Sequence, residues 1–295
     1  NTYSAFPAVV SRPTFKSGLL GTGEWKVNKI SLNGNTVEQI DVSSKNAGKL
    51  TYKFYPTEER TKIAFELGEV DKINDLFNVS PFDGWPKVKI NGTPNTGEYV
   101  AVFFNTQEDP FKEKDFRQAL SYAIDKNKLG GMRAISLISI DSWAYNPQVK
   151  HYDYDRLKAK QIISDYKSAS KTTDISVTLS VSPLLLDKAE LVAEDWKAVG
   201  LNVNLQVVSA MPSDFQAFMA ILDIPDDPDQ YSLWHSTQES TNITGYQNVR
   251  IDKLLEDGRT EIDIESRKKI YLDFQRYLVE DSPAAFLYYP NTFSV

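Results

Sequence analysis

Residues 174–208, DISVTLSVSPLLLDKAELVAEDWKAVGLNVNLQVV, change their hydrophobic period twice and thereby decide the fold class. Apolar and polar residues alternate from Ile175 to Val181, as in a half-buried strand. Apolar positions then recur every three or four residues, which predicts a helix that ends at Gly200. Alternation returns in LNVNLQVV, so we expect a strand, helix, strand crossover in a mixed sheet, with the second strand parallel to the first if the two share that sheet. The residues predicted to face the core from this helix are Leu185, Ala189, Val192, Trp196 and Val199.

Segments on either side of this unit predict further strands and helices. EYVAVFFNT (98–106) is aromatic and β-branched, which indicates a strand. Thr57 can cap an earlier helix that ends near Gly68, with Ile63, Leu67 and Val70 spaced for one buried face. The other predicted elements are a helix with Phe116, Ala119, Leu120, Ala123 and Ile124 on one side, helices near 154–166, 251–255 and 263–280, and a closing strand AAFLYY.

Composition limits the class of protein to which the chain can belong. Its 295 residues are enough for two lobes, each with its own core. The formal net charge of −7 and the lack of a basic stripe argue against nucleic-acid binding. The lack of cysteine excludes disulfides and thiolate metal sites. No apolar run is long enough to cross a bilayer, and the opening NTYSAFPAVV lacks the layout of a signal peptide.

The segment IPDDPDQYSLWHSTQ (224–238) concentrates aspartates, aromatic residues and one of the two histidines. A Ser-His-Asp hydrolase is disfavoured because the chain has no G-x-S-x-G elbow. A calcium loop counted from Asp227 has Ser232 where glycine is needed and Gln238 where glutamate is needed. Zinc lacks a ligand set, so we expect neither a metal nor a cofactor. Two interpretations remain: a turn with Trp234 in a core, or a surface that grips a ligand.

Several segments resemble the family 5 bacterial extracellular solute-binding proteins, and they occur in the family's order. LLGTGEWKV (19–27) is similar to the segment G-T-G-P-[FY]-x-[LV], with Glu24 in place of the usual proline. YVAVFFNTQEDPFKEKDFRQALSYAIDKNKL (99–129) is similar to the family's most recognisable run, which contains P-F-x-D and A-[IL]-[DN]-[RK]. DPDQYSLWHS (227–236) follows in order. Each segment alone is only weakly specific. Because they occur in the family's order over nearly the whole chain, the chain is identified as a member of this family.

The resemblance implies a mixed α/β fold of the type II periplasmic-binding-protein kind. Two lobes of mixed sheets flanked by helices are expected: a partial first lobe over residues 1–97 and a helix-rich second lobe over residues 98–295. The seam is predicted within WPKVKINGTPNTGE (85–98), which is rich in Gly, Pro and Asn. Compared with family members, the chain is expected to be cut at both ends.

Proteins of this family are receptors for solutes and not enzymes. The resemblance implies a component of an ABC importer that binds oligopeptides between its lobes and delivers them to permease subunits. It also implies a monomeric, extracytoplasmic protein that contacts the membrane only through a lipid anchor outside this sequence. Two alternatives stay open: a non-peptide solute, such as an oligosaccharide or a metal chelate, and the sensory domain of a regulator.

The resemblance also suggests which residues contact the ligand. In peptide-binding relatives a carboxylate a few residues before D-P-D holds the ligand's ammonium group by a charge-assisted hydrogen bond. Alignment on Asp227 places Ile224 at that position and Ile221 near the tryptophan that relatives carry. We therefore predict that Asp226 takes the role of the missing carboxylate, with Asp223 as the alternative. The further candidates are Asp227, Trp234, His235, Trp143 and Tyr145, and for the aromatic residues and His235 packing in a core is at least as compatible with their types.

Overall fold

The computed structural model describes residues 9–11, 19–21 and 23–295. The chain divides into two compact units, Asn1–Thr93 with Thr292–Val295, and Pro94–Asn291. Parts of NTYSAFPAVV and of LLGTGEWKV lie outside the described residues. The division falls inside the predicted seam, while the assignment of the units to two lobes of a receptor stays a prediction.

The first unit consists mainly of antiparallel strands. Its elements are β1 (Val9–Ser11), β2 (Leu19–Gly21), β3 (Lys26–Asn33), β4 (Thr36–Ser44), β5 (Gly48–Lys53), α1 (Glu58–Glu66) and β6 (Asn91–Pro94). Strands β3, β4 and β5 form an antiparallel sheet in which Ile30 lies opposite Ile40, and Ile40 lies opposite Tyr52. Cross-strand apolar pairs of this kind stabilise a sheet face.

Helix α1 begins and ends as predicted, but it buries a different face. Thr57 accepts a hydrogen bond from the Arg60 N–H at the start, and Gly68 has a φ of 71° just beyond the end. Ile63 and Leu67 are exposed, so their predicted burial was wrong. The buried side instead carries Lys62, because its ammonium pairs with Glu58 at 2.9 Å. The Glu58 carboxylate also accepts two backbone N–H groups, from residues 77 and 78.

The second unit is a six-stranded mixed sheet with helices packed against it. Its elements are β7 (Glu98–Phe104), α2 (Lys114–Ala123), β8 (Met132–Arg133), α3 (Arg156–Ser170), β9 (Ser176–Val181), α4 (Leu186–Ala198), β10 (Asn202–Val207), β11 (Ala217–Asp223), α5 (Tyr231–Trp234), α6 (Val249–Thr260), α7 (Ile264–Asp281) and β12 (Ala284–Tyr289). The strand order is β10-β9-β11-β7-β12-β8. All six residues from Tyr99 to Phe104 in β7 are buried, as expected for a central strand covered on both faces.

The crossover unit predicted from residues 174–208 is confirmed. Strands β9 and β10 are parallel, with Val177 opposite Val203, and α4 connects them. The predicted stripe on α4 is buried, and Gly200 ends the helix region with a φ of 97°. Trp196 lies in the centre of this packing, where its Nε1 donates to the Leu120 carbonyl oxygen at 3.1 Å.

Strand β11 carries the chain from this sheet to the segment that the sequence singles out. It is parallel to β9 and antiparallel to β7, and it ends where Asp223 lies opposite Glu98. Helix α6, which packs near the following segment, is longer than predicted because it spans Val249–Thr260. The predicted α7 is confirmed, with Asp263 as its N-cap.

The end of the chain returns to the first unit. Strand β13 (Asn291–Ser294) pairs with β6. Ile73 and Val295 exchange two backbone hydrogen bonds of 2.8 and 3.0 Å. In residues 9–11, 19–21 and 23–295, every helix is too short or too polar to cross a bilayer.

Candidate functional site

The loop between β11 and α5, residues 224–230, is held by its own aspartates, and we call it the D-P-D loop. The Ile224 N–H donates to the Gly97 carbonyl at 2.7 Å, which fixes the start of the loop. Asp227 Oδ1 accepts the Asp229 N–H at 2.9 Å, and Asp229 Oδ1 accepts the Tyr231 N–H at 3.0 Å. These contacts are the local side-chain to backbone bonds by which aspartate builds turns.

Two arginines from neighbouring helices hold the same two aspartates. The Arg267 guanidinium donates to both carboxylate oxygens of Asp227, at 2.9 and 2.6 Å. Arg259 Nε lies 3.0 Å from Asp229 Oδ2, and its guanidinium lies over the Tyr231 ring. A bidentate arginine pair is both strong and directional. The loop is therefore fixed to α6 and α7 as well as to the sheet.

Burial separates the two arginine pairs in strength. The Arg267 side chain is 9% exposed, whereas that of Arg259 is 49% exposed. Burial raises the pKa of Asp227, but the hydrogen bonds from Arg267, the hydrogen bond from the Asp229 N–H and the charge of Arg267 together outweigh this and hold the pKa below its ordinary value. The exposed Arg259 pair is screened by water and contributes little. Arg267 is accordingly the main anchor of the D-P-D loop.

Asp226 differs from its neighbours because its carboxylate is not used by the loop. Its side chain is exposed, and within the described part of the chain it has no hydrogen bond or ion pair. Asp223, the alternative, is also exposed, at the end of β11. Both carboxylates are thus free to meet a cation, and their roles as ligand anchors stay predictions.

Trp234 and His235, at the end of α5, are buried. Trp234 is 2% exposed, and its ring centroid lies 6.4 Å from that of Phe103 in β7. His235 is 4% exposed and stacks on Tyr231 with 4.1 Å between ring centroids. In this structure the two rings pack within the second unit, and contact of either with a ligand stays a prediction.

The neighbours of His235 argue for a structural hydrogen-bond network. Its Nδ1 lies 2.8 Å from the Thr237 hydroxyl oxygen and 3.2 Å from the Thr237 backbone nitrogen, and its Nε2 lies 3.5 Å from a Glu256 carboxylate oxygen. The Ser236 hydroxyl donates to Asp252 at 2.5 Å and is not directed at the imidazole. Among the described residues no group of three or more His, Asp or Glu side chains is arranged to hold a metal ion.

Trp143 is brought close to the D-P-D loop, whereas Tyr145 is not placed there by any contact. The Arg267 guanidinium lies 5.6 Å from the Trp143 ring centroid and 5.3 Å from that of Tyr271, so the arginine joins Trp143 to Asp227. Tyr145 is half-buried, and burial raises its pKa. Both remain candidate ligand contacts.

Arg267 was not predicted from the sequence, although the sequence contains a signal for it. Arg267 lies on the same helical stripe as Tyr271, Phe274 and Leu278, all of which are buried. A charged residue on an apolar stripe needs a partner, because an unpaired buried charge is costly. That argument would have predicted an acidic partner for Arg267, but not which one.

Replacement of Arg267 by methionine is expected to loosen the D-P-D loop. The change removes a bidentate pair and leaves the Asp227 carboxylate without its main partner, so we expect a loss of about 1–3 kcal/mol in the free energy of unfolding. Urea unfolding and amide hydrogen exchange of residues 224–230 would measure the two effects. Arg276→Met on the same helix is the control, because the Arg276–Asp273 pair is exposed and should contribute less than about 1 kcal/mol.

The pH dependence of this variant provides a second check. A carboxyl whose folded pKa is lowered contributes stability above its unfolded pKa, and this contribution disappears as the pH falls through the folded value. The difference in stability between the unmodified chain and Arg267→Met should therefore shrink below about pH 4. A difference that is constant from neutral to acidic pH would contradict the assigned pair.

Solved structures define the class of this fold. The chain superimposes on the oligopeptide-binding protein AppA from Bacillus subtilis, in complex with a nonapeptide, with a TM-score of 0.71, 24% identity and coverage of 93% of this chain and 62% of AppA. The substrate-binding protein CtaP from Listeria monocytogenes gives a TM-score of 0.78 with 21% identity and coverage of 95% of this chain and 62% of CtaP. The fold is that of type II periplasmic binding proteins.

Sequence comparison then identifies the family. Residues 5–243 match the model of the bacterial extracellular solute-binding proteins, family 5 (Middle), and the chain belongs to this family. Among curated relatives, oligopeptide-binding protein AppA of Bacillus subtilis is 29% identical over 278 residues, which cover 82% of this chain and 50% of AppA. The chain spans about half the length of the curated relatives that it matches.

Proposed function

We propose that this chain is the ligand-binding part of an ABC-importer receptor that binds oligopeptides between two lobes and delivers them to a membrane permease. The observation that carries the proposal is the 29% identity with an oligopeptide-binding protein over 82% of the chain. The receptor would act outside the cytoplasm as a monomer attached through a lipid anchor. Binding by lobe closure is a known switching mode, in which the ligand stabilises the closed state.

Asp226 is the residue that we propose for the peptide's ammonium group. Its carboxylate is exposed and has no partner among the described residues, while the adjacent Asp227 is held by Arg267. A fixed neighbour places Asp226 at a defined point of the loop, so little side-chain and loop freedom is lost when a ligand binds. Ile224, at the position where relatives carry the acid, has no group that binds a cation.

The function is tested by native mass spectrometry and calorimetry of the full-length receptor with a pool of unrelated peptides. Retention of peptides of several sequences is the expected result, because hydrogen bonds to the peptide main chain do not depend on side-chain identity. Retention of an oligosaccharide or a metal chelate, with no peptide bound, would overturn the proposal in favour of a non-peptide solute.

Asp226→Asn is expected to weaken peptide binding about 10- to 100-fold. A hydrogen bond to a charged group contributes about 1.5–3 kcal/mol, and about 1.4 kcal/mol corresponds to a tenfold change in Kd. Asp223→Asn is the matched control and should change Kd by less than about threefold, since its carboxylate lies before the loop. Calorimetry with a free and an N-acetylated peptide would measure both variants.

The acetylated peptide separates an ammonium contact from a general effect of charge. It should bind the unmodified receptor as weakly as the free peptide binds Asp226→Asn, and the mutation should weaken it no further. If Asp223→Asn shows the loss and Asp226→Asn does not, the anchor is Asp223. If both variants still bind the free peptide more tightly than the acetylated one, to the same extent as the unmodified receptor, neither Asp226 nor Asp223 binds the ammonium group.

A further inference from the structure

A small, partly open cavity in the second unit is lined by two basic side chains. Lys126, Arg133 and the backbone around His151 and Phe286 form its walls. The centre of a water-sized sphere has about 10 Å³ of free space in this cavity. This is enough for one water-sized atom or ion. Its lining includes residues of α2, β8 and β12 and none of the D-P-D loop.

Both basic side chains donate to neutral backbone carbonyl groups. Lys126 Nζ donates to the Ser121 carbonyl and, at 2.6 Å, to the Tyr152 carbonyl. Arg133 donates to the carbonyls of Ala134, Phe286, Leu287 and His151, the last at 2.7 Å. Within the described part of the chain, neither Lys126 nor Arg133 forms an ion pair with a carboxylate.

Two like charges that share a buried cavity are electrostatically unfavourable. Lys126 is 7% exposed, and burial together with the charge of Arg133 lowers the pKa of Lys126 to about 7. Burial likewise lowers the pKa of Arg133 to about 10. Asp153, Asp125 and Asp195 act on Lys126 only through space, without hydrogen bonds to its ammonium. These carboxylates raise the pKa of Lys126, but they do not outweigh its burial and the charge of Arg133.

The ammonium group also has an unused donor. In its protonated form Lys126 carries three N–H groups, and two of them are used by Ser121 and Tyr152. The third has no acceptor among the described residues, and Lys126 lines the cavity. A buried donor of this kind needs an acceptor, and an anion would satisfy both the hydrogen bond and the charge.

We propose that the cavity between Lys126 and Arg133 binds one small inorganic anion, of which chloride is the physiological representative. The anion would accept the free ammonium N–H and neutralise part of the paired positive charge. It would thereby stabilise the junction of residues 121, 152 and 286. This site shares no residue with the D-P-D loop.

The first test measures thermal unfolding while chloride replaces gluconate at constant ionic strength. Gluconate is too large for the cavity, so screening stays equal while the candidate ligand changes. Binding to the folded chain raises Tm, by about 2–4 °C once chloride exceeds its Kd about fivefold. A Tm that does not depend on chloride, or a dependence that is the same in Lys126→Met, would overturn the proposal.

The variants locate the effect. Lys126→Met should abolish the chloride dependence of Tm, whereas Lys160→Met, which removes an exposed lysine of α3 that has no partner in the described part of the chain, should retain it. If Lys126→Met fails to fold, crystals of the unmodified chain soaked in bromide decide the question by anomalous scattering. A bromide peak in contact with Lys126 Nζ and the Arg133 guanidinium is expected, and an ordered water at that point without a bromide peak would refute the site.

Discussion

Trp196→Ala is expected to lower the free energy of unfolding of the second unit by about 3–5 kcal/mol, the largest effect of any single apolar substitution considered for this chain. The indole is fully buried and lies 6.3 Å, between ring centroids, from Phe104 of the central strand β7. Truncation removes this packing and leaves the Leu120 carbonyl without its donor. The two losses add, because the freed Leu120 carbonyl alone gives too few polar partners to hold a water in the cavity.

Urea unfolding followed by far-ultraviolet circular dichroism measures the change without relying on tryptophan emission. Trp196→Phe keeps most of the ring and loses the hydrogen bond. Its free energy of unfolding should therefore lie between those of the unmodified chain and Trp196→Ala. Leu157→Ala is the control within the same unit, since this leucine is 82% exposed and its removal should cost less than about 0.5 kcal/mol. Equal losses for Trp196→Ala and Leu157→Ala would mean that α4 is not packed as described.

Arg117→Met is expected to lower the free energy of unfolding by about 3–4 kcal/mol, because one guanidinium donates hydrogen bonds to several backbone carbonyl oxygens at once. Arg117 is 4% exposed and donates to the carbonyls of Phe111, Lys112, Asp281 and Ser282 at 2.6–3.1 Å. These oxygens lie before α2 and at the end of α7, where helix carbonyls have no partner within the helix. Methionine preserves apolar volume but supplies no donor.

Arg117→Lys keeps the charge and loses the planar fork of donors. We therefore expect its free energy of unfolding to lie between those of the unmodified chain and Arg117→Met. Arg276→Met again serves as the exposed control. Thermal and urea unfolding should rank the three variants in the same order. A lysine variant as stable as the unmodified chain would show that the charge, and not the fork of donors, stabilises this junction.

The crossover unit could be predicted because its signals are local. Alternation from Ile175 to Val181 and the three-to-four-residue period up to Val199 each depend only on neighbouring residues. Gly200, with its positive φ, ends the helix for a reason contained in the residue itself. The parallel direction of β9 and β10 then follows from the single connecting helix once the two strands share a sheet, whereas their pairing is itself a tertiary contact.

The buried face of α1 could not be predicted in this way. Its apolar positions Ile63 and Leu67 favoured one side, but the helix turns Lys62 inward because Glu58 pairs with it and caps two distant N–H groups. Hydrophobic period alone does not include such a polar anchor. The partner N–H groups belong to residues 77 and 78, about twenty positions away in the chain.

The D-P-D loop likewise has features that its own residues determine and features that depend on tertiary packing. The turn follows from the residues of the loop, since aspartate and proline act on their own backbone. The place of the D-P-D segment in the family's order of segments is likewise read from the sequence alone. Which aspartate is free depends on Arg267, forty positions further along the chain, and only the packing of α7 against the loop brings it to Asp227. Short-range torsional and hydrogen-bond preferences are therefore written in the sequence, whereas the pairing of distant charges, and with it the freedom of Asp226, is decided by tertiary packing.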